Sequence, residues 1–187
     1  MSLDGAIAKV LPELAKPQLL EGFDADGPPK LRPAKGPITL RQLMTHTAGF
    51  CYETFNGAMG TYQEKISTPS VVTCKHPALK QPIMTDPGTR WEYGTSVEFV
   101  GLAVEAASGK RLDAYFHDNI LTPLGMNDTA FKISDTMRTR LVGMHARAWD
   151  GSPPPIPFEL EQHPEGCLGE AVSTVPRSII SPSSGRL

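Results

Sequence analysis

Two ring side chains are the clearest means of proton transfer in this sequence. Tyr93 stands in Tyr93-Gly94-Thr95-Ser96, directly before a helical pattern, so its phenol could reach a cleft and act as an acid or a base. His46 lies between two threonines at the end of a shorter helical pattern. Each has a structural alternative: Tyr93 could anchor its loop as a half-buried aromatic, and His46 could pack against its helix or cap it. Spacing alone leaves these roles open.

Other catalytic and metal-binding motifs are absent from the sequence. It contains no H-E-x-x-H, no G-x-S-x-G and no G-x-x-x-x-G-K-[ST]. Cys51, Cys74 and Cys167 are too few and too scattered for a disulfide framework, and His76 beside Cys74 is a pair of metal ligands without a second pair. We therefore expect no metal site and three reduced thiols in an intracellular protein.

The composition and net charge of the chain argue against nucleic acid and membranes as its partners. The 187 residues suit one domain or part of one, and 40% hydrophobic with 20% charged residues is ordinary globular usage. A net charge of −2 lacks the basic excess of a nucleic-acid binder. No run of 18 apolar residues could span a membrane, and the N-terminal residues MSLDGAIAKVLPELAK do not form a secretory signal. We expect a cytoplasmic protein that binds neither nucleic acid nor membrane; composition says nothing of its oligomeric state.

Proline placement locates the elements that must position these side chains. Residues 38–68 and 88–122 contain no proline, so we expect the helices there. In the first window Thr39 and Gln42 form a capping-box pattern that predicts a helix over about Leu40–Thr45. In the second window Thr95 and Glu98 form another.

The second window predicts a tight helical pair. Its first helix should run from Thr95 to a stop at Gly109, and its second from Leu112 to near Pro123. Before this pair, residues 90–93 look extended. Residues 142–149 and 156–160 flank Asp150-Gly151 and predict two short strands, while residues 16–37 read as a long irregular segment.

Two blocks of the sequence resemble the serine β-lactamase-related family. They are ITLRQLMTHTAGF, which begins at Ile38, and PGTRWEYGTSVEFVGLAVEAASGKRLDAYFHDNILTPLGMNDTAF, which begins at Pro87. That family includes class C β-lactamases, family VIII esterases, penicillin-binding proteins and fungal acyltransferases of the polyketide transesterase type. The motifs WEYG and NILTPLGMNDTAF look most like those of the fungal branch. The resemblance covers roughly Ser2–Pro176.

The resemblance implies an α+β fold of the β-lactamase/transpeptidase-like type. This chain would hold a partial domain over residues 1–176, mostly the helical lobe with long loops and a short β-hairpin. Residues 177–187 would form a disordered or aberrant tail. The nucleophile helix would precede Met1, and the C-terminal strands of the sheet would be missing.

The resemblance also implies acyl transfer through a serine ester, without metal or cofactor, on a small ester, thioester or lactam. In the family, a serine in S-x-x-K is the nucleophile, and a tyrosine in a Y-x-N-type motif is the base and later the acid. Tyr93 falls on that tyrosine, and a third motif near the C-terminus would line the acyl site. However, no serine of this sequence is followed three residues later by lysine, and Thr129-Ala130-Phe131-Lys132 is the nearest imitation.

The resemblance suggests substrate-binding positions beside Tyr93. Thr95 occupies the asparagine position of the motif, although it serves equally well as a helix N-cap. Phe50 and Tyr52, with Phe55 in the loop that follows, suit an apolar acyl group, although local core is an equally good role for them. The chain is thus expected to belong to a serine esterase or acyltransferase; the alternatives are an inactive homologue with at most a binding role and a truncated gene product.

Overall fold

The computed structural model describes residues 1–24, 27–157 and 162, and helices dominate these residues. The helices are α1 (Leu40–Met44), α2 (Gly57–Ile66), α3 (Ser96–Ser108), α4 (Leu112–Phe116) and α5 (Asp135–Arg138). The strands are β1 (Gln18–Phe23), β2 (Pro29–Pro33), β3 (Met144–His145) and β4 (Pro155–Ile156). Short 3₁₀ turns cover Ile7–Lys9, Pro12–Leu14, Val71–Thr73 and His76–Leu79, and a π-helical turn, His117–Leu121, extends α4. None of the described helices is long and apolar enough to cross a bilayer.

Helix α1 begins where its capping box predicts. The Gln42 backbone N–H donates to Thr39 Oγ1 over 3.2 Å, and the Thr39 N–H donates to Gln42 Oε1 over 2.9 Å. These two bonds satisfy donors that a helix start leaves without intrahelical partners. Leu40 and Leu43 are buried on the face that packs against α3. The prediction of a short helix from Leu40 is confirmed.

Helix α3 has the predicted span but not the predicted cap. Thr95 stands at the N-cap position, yet its side chain makes no capping bond; Thr95 Oγ1 instead accepts a hydrogen bond of 2.6 Å from Gln81 Nε2. Glu98 is buried in the first turn. The predicted capping box at Thr95 is therefore wrong, because tertiary contacts engage its side chain. The predicted stop is confirmed: Gly109 has φ +69°, the left-handed conformation that glycine adopts most easily.

The segment predicted as irregular, residues 16–37, forms an antiparallel hairpin instead. Strands β1 and β2 pair from Gln18 opposite Pro33 to Phe23 opposite Pro29, with a register shift between Leu20 and Gly22. The prolines of β2, Pro29 and Pro33, lie at its two ends, where an edge strand tolerates them. On the other side of β1, the N–H of Leu20 donates to the Ile83 carbonyl over 2.9 Å.

The second predicted hairpin is present but shorter. Met144 pairs with Ile156 and His145 with Pro155, so each strand has two residues. Residues 90–93, predicted to be extended, belong to no strand. The predictions for residues 158–160 and for the tail at 177–187 lie outside the described residues.

The core lies between β1, α1, α3 and the loops that join them. Its larger cluster comprises Ile7, Leu11, Leu14, Leu19, Ile38, Leu40, Leu43, Ala48, Phe50, Cys74, Leu79, Ile83, Phe99 and Ala103. A smaller cluster joins Leu20 and Cys51 to two residues of α2, Met59 and Tyr62. Ala48, Phe50 and Cys51 therefore anchor the chain that follows α1 in apolar packing, and this chain borders the candidate site.

Candidate functional site

Backbone hydrogen bonds hold Tyr93 against the chain that follows α1. The Glu92 N–H donates to the His46 carbonyl over 2.8 Å, and the Tyr52 N–H donates to the Tyr93 carbonyl over 3.3 Å. Residues 46–52 are bound on another side by residues 84–88: the Met84 N–H donates to the Gly49 carbonyl over 2.7 Å. Tyr93 therefore sits on a braced backbone just before α3.

A close backbone approach fixes the position of Tyr93 further. A Cβ atom added at Gly94 would lie 2.3 Å from the Cys51 Cα and 2.5 Å from the Cys51 nitrogen. No side chain fits at such distances, so glycine is required for the two segments to meet. The residue after Tyr93 is thus specified by packing and not only by the turn.

Aromatic rings surround the Tyr93 phenol. The ring centroids of His46 and Tyr52 lie 4.9 Å and 5.4 Å from that of Tyr93. Those of Phe55 and Trp91 lie at 5.7 Å and 6.2 Å, with Trp91 nearly parallel to the phenol at 16°. Edge-to-face and offset contacts at these separations are attractive. We call these five residues the ring cluster.

One side of the ring cluster is open to solvent. Tyr93 is 37% exposed, and Trp91 and Phe55 are 61% and 72% exposed, whereas Tyr52 is buried at 9%. Large aromatic side chains usually bury most of their surface. Trp91 and Phe55 therefore present exposed apolar surface beside the phenol. The arrangement allows proton transfer at the surface of the chain, with apolar walls around it.

Of the residues predicted to bind the acyl group, Tyr52 and Phe55 share the ring cluster with Tyr93, whereas Phe50 and Thr95 do not. Phe50 is a core residue: it is 2% exposed and stacks on Phe99 of α3 with ring centroids 4.6 Å apart. Thr95 is 1% exposed and engaged by Gln81. The proposed substrate-binding roles of Thr95, Phe50 and Tyr52 and the catalytic role of Tyr93 remain predictions.

Two carboxylates near the ring cluster, those of Glu92 and Glu53, contribute to a raised pKa of the Cys51 thiol. The Glu92 carboxylate is mostly buried and forms an ion pair with Arg90. The Cys51 thiol lies behind the cluster, where burial, with a smaller contribution from the negative charges of Glu92 and Glu53, raises its pKa to about 12. A thiol with such a pKa stays protonated near neutral pH and is a poor nucleophile.

An ion pair outside the ring cluster connects the β1–β2 hairpin to the loop that precedes Trp91. Arg32 of β2 donates two hydrogen bonds of 2.9 Å to the two carboxylate oxygens of Asp86, and the Lys35 N–H donates a third over 2.8 Å. These donors, with the guanidinium the strongest, lower the pKa of Asp86 to about 2. Asp86 therefore stays ionised at neutral pH and holds the loop that leads to Trp91.

A separate cleft of about 590 Å³ opens on the far face of the core. Its walls include Phe50, Leu79, Ile83 and Phe99, and Gln81 contributes a polar group. Tyr93 is not among its lining residues. Phe50 thus lines this cleft rather than the ring cluster. Among the described residues, no three His, Cys, Asp or Glu side chains come together as metal ligands.

The sequence predicted no site role for Trp91 and left two roles open for His46, proton transfer and packing or capping. Trp91 could have been found from its i, i+2 spacing to Tyr93, which places both side chains on one side of an extended stretch. His46 lies 47 residues before Tyr93. No local signal in the sequence joins them; only the fold brings the two rings together.

Relatives with curated descriptions match most of this chain. It is 36% identical over 154 residues to the acyltransferase mokF of Monascus pilosus. This match covers 80% of this chain and 37% of that protein. It is 32% identical over 152 residues to the lovastatin esterase of Penicillium rubens, which covers 78% of this chain and 37% of the esterase. The chain therefore spans somewhat more than a third of the length of these relatives.

The fold and a family comparison agree with these matches. The unliganded simvastatin synthase LovD of Aspergillus terreus superposes with a TM-score of 0.76 at 33% identity, over 94% of this chain and 44% of that structure. The fold is therefore part of the β-lactamase/transpeptidase-like fold. The β-lactamase family model matches residues 1–178. The chain belongs to the β-lactamase family, as the two resembling blocks predicted.

Proposed function

We propose that this chain is the tyrosine-bearing part of a serine esterase or acyltransferase, with Tyr93 as its general base. One observation carries the proposal: the Tyr93 phenol is partly exposed on a backbone that is braced at His46 and Tyr52. A general base must be held within hydrogen-bond reach of the proton it removes. The relatives named as acyltransferase and esterase support this class of reaction for the whole protein.

In the proposed reaction the nucleophile is a serine outside this sequence. Tyr93, as phenolate, would take the serine proton while the serine oxygen attacks the acyl carbonyl. The phenol would then give that proton to the leaving alcohol or thiol, which leaves an acyl-serine. Water would release a free acid from this ester, whereas a second alcohol would receive the acyl group. Tyr93 acts as acid and base in both halves.

The proposed substrate is a small molecule with an apolar acyl or alcohol part. The exposed faces of Trp91 and Phe55 next to Tyr93 support an apolar group at that position. We propose a cytoplasmic location and no nucleic-acid or membrane partner, in line with the composition. Tyr52 would line the site from within the ring cluster.

The test begins with the reading frame around this chain. Transcript ends from the source cells are sequenced, and the protein that contains an in-frame S-x-x-K segment is expressed and assayed with p-nitrophenyl butyrate. We expect Tyr93→Phe to lower kcat about 10²–10⁴-fold, the usual contribution of a general base. Tyr115→Phe, a matched change outside the ring cluster, should leave kcat unchanged. Full turnover by the Tyr93→Phe protein would remove Tyr93 from the mechanism.

The non-catalytic alternative has a distinct outcome. The 187-residue chain itself contains no S-x-x-K motif, so we expect it not to accelerate ester hydrolysis. If the message encodes no such segment, the esterase proposal fails for this gene. Saturable binding of an acyl ester by the chain, measured by calorimetry, would then support a binding role.

A further inference from the structure

His46 has a backbone conformation that costs free energy. Its φ is +54°, in the left-handed region, where glycine and asparagine are the usual residues. Among the described residues, Ser67 and Cys74 are the only other non-glycine residues with positive φ. A glycine at position 46 would adopt this conformation without the steric cost of a Cβ. Histidine at this position therefore has a backbone cost that glycine would not have.

Neighbouring hydrogen bonds hold His46 in this conformation from both sides. Its N–H donates to the Leu43 carbonyl over 3.3 Å, and its carbonyl accepts from the Glu92 N–H over 2.8 Å. The next residue, Thr47, donates to the Gln42 carbonyl over 2.9 Å. Strained residues persist where the surrounding structure determines their backbone, and such residues concentrate at functional sites.

The imidazole is directed at the candidate base. Of the four ring contacts described for Tyr93, that of His46 has the shortest separation, 4.9 Å between centroids at an interplanar angle of 49°. The His46 ring also meets the edge of Trp91 at 6.3 Å. Its Nδ1 atom is buried and has no hydrogen-bond partner among the described residues. A buried nitrogen without a partner is a second cost of having histidine here.

We infer that His46 is a positioning residue for Tyr93: its ring packs against the phenol and holds the Tyr93 oxygen where the reacting proton is transferred. The inference depends on the proposed function for its catalytic meaning. In this role His46 acts on the orientation of the phenol and needs neither to transfer a proton nor to contact the substrate. It acts through the ring of Tyr93, which has solvent on its open side and needs support from within the chain.

The first experiment compares three substitutions in the active protein defined above. His46→Gly removes the ring and relieves the backbone, whereas His46→Asn removes the ring and keeps a residue that tolerates left-handed φ. His46→Phe keeps a ring at the cost of strain. We expect kcat to fall about 10–100-fold in the glycine and asparagine proteins, since small misplacements of reacting groups have effects of that size. KM should change less than about 3-fold.

The order of the variants separates positioning from a structural role. We expect the glycine protein to melt at or above the parent temperature and the phenylalanine protein below it, whereas kcat should be lower in the glycine protein than in the phenylalanine protein. Ser67→Gly is the matched control, because Ser67 has φ +55° at the end of α2, away from Tyr93, and this change relieves the same strain. The Ser67→Gly protein should keep the parent kcat.

A second experiment needs no activity and uses the 187-residue chain. Its four tyrosines are replaced by 3-fluorotyrosine, and the fluorine resonance of Tyr93 is assigned by its loss in the Tyr93→Phe protein. We expect this resonance to shift and broaden in His46→Gly and to be unchanged in Ser67→Gly, as the phenol samples more orientations.

The two experiments have distinguishable failures. Parent kcat in both His46→Gly and His46→Asn, in a protein that Tyr93→Phe inactivates, overturns the inference. An unchanged Tyr93 resonance in His46→Gly overturns it as well. If Tyr93→Phe is fully active, the proposed function fails instead. In that case the resonance measurement still decides whether His46 orders the Tyr93 ring.

Discussion

The chain beneath the ring cluster and the β3–β4 ribbon contain similar apolar residues in opposite surroundings. The chain beneath the ring cluster is buried, with Ala48, Phe50 and Cys51 at most 2% exposed. On and beside the ribbon, Met144 is 48% exposed and Trp149 is fully exposed. Both regions are rich in apolar side chains, yet only the first buries them against the described residues.

The difference shows that contacts within the described residues determine the geometry of the segment around Tyr93. Around Tyr93, backbone bonds from residues 84–94 and apolar packing from α3 act on the same short segment. The ribbon has two-residue strands, and a two-stranded hairpin is marginally stable by itself. Contiguous exposed apolar surface marks a contact surface in most soluble proteins. Substitutions in the two regions should therefore have very different effects.

The largest contrast is expected between Phe50 and the ribbon. Phe50→Ala should lower the free energy of unfolding by about 3–5 kcal/mol, because it removes a buried ring that stacks on Phe99. Urea denaturation of the chain measures this, with Phe50→Leu as the milder control at about 1.5 kcal/mol or less. A loss below about 1 kcal/mol for Phe50→Ala would contradict its place in the core.

The next effect is expected at the backbone contact beside Tyr93. Gly94→Ala should lower the free energy of unfolding by at least about 1–3 kcal/mol, because the new Cβ would overlap the Cys51 backbone. Gly57→Ala is the matched control: its Cβ would meet no atom within 4 Å, and it should stabilise α2 by about 0.5–1 kcal/mol. Equal behaviour of the two alanine proteins in urea denaturation would contradict the close approach.

A smaller, pH-dependent effect is expected from Asp86. Its pKa in the folded chain is about 2, below the ordinary value of about 3.9. The Arg32 pair thus stabilises the fold at pH values above about 4, and this contribution disappears as the pH falls towards 2. The urea midpoint of the parent should fall more steeply over this range than that of Asp86→Asn. Parallel pH profiles would show that the pair does not hold the hairpin to the loop.

The smallest effect is expected at Trp149. Because its side chain is fully exposed, Trp149→Ser should change the free energy of unfolding by no more than about 0.5 kcal/mol. The same urea denaturation measures it, with Phe50→Ala as the reference for a buried ring. A loss above about 1 kcal/mol would show that the ribbon packs within the chain and would remove the contrast between the two regions.

Local signals were enough to predict the helices beside the site. The Thr39 and Gln42 side chains lie three residues apart, and Gly109 ends α3 by a conformation that needs only its own backbone. The first hairpin was not predicted because its prolines argue against strands unless the strand lies at an edge, and edge position is a property of the whole sheet. Helix α2 lies in a predicted helical window, but Gly57 and Gly60 weaken its local pattern.

The site was predictable only in part. The family resemblance singled out Tyr93, and Tyr52 does lie against it. The contact with His46 and the burial of Phe50 depend on chain segments that are more than 40 residues apart, so no periodicity encodes them. Likewise, the capping prediction at Thr95 failed because Gln81, 14 residues earlier, hydrogen-bonds its hydroxyl.

Cys51, whose backbone lies against Gly94, offers a chemical measure of local opening near Tyr93. A thiol with a pKa of about 12 and no exposed surface reacts with iodoacetamide only when the packing around it, from Leu20, Met59, Tyr62 and the Gly94 backbone, opens. The alkylation rate of Cys51, followed by peptide mass spectrometry, therefore measures how often this packing opens. The native sequence thus contains a thiol whose reactivity reports local opening beside the candidate base.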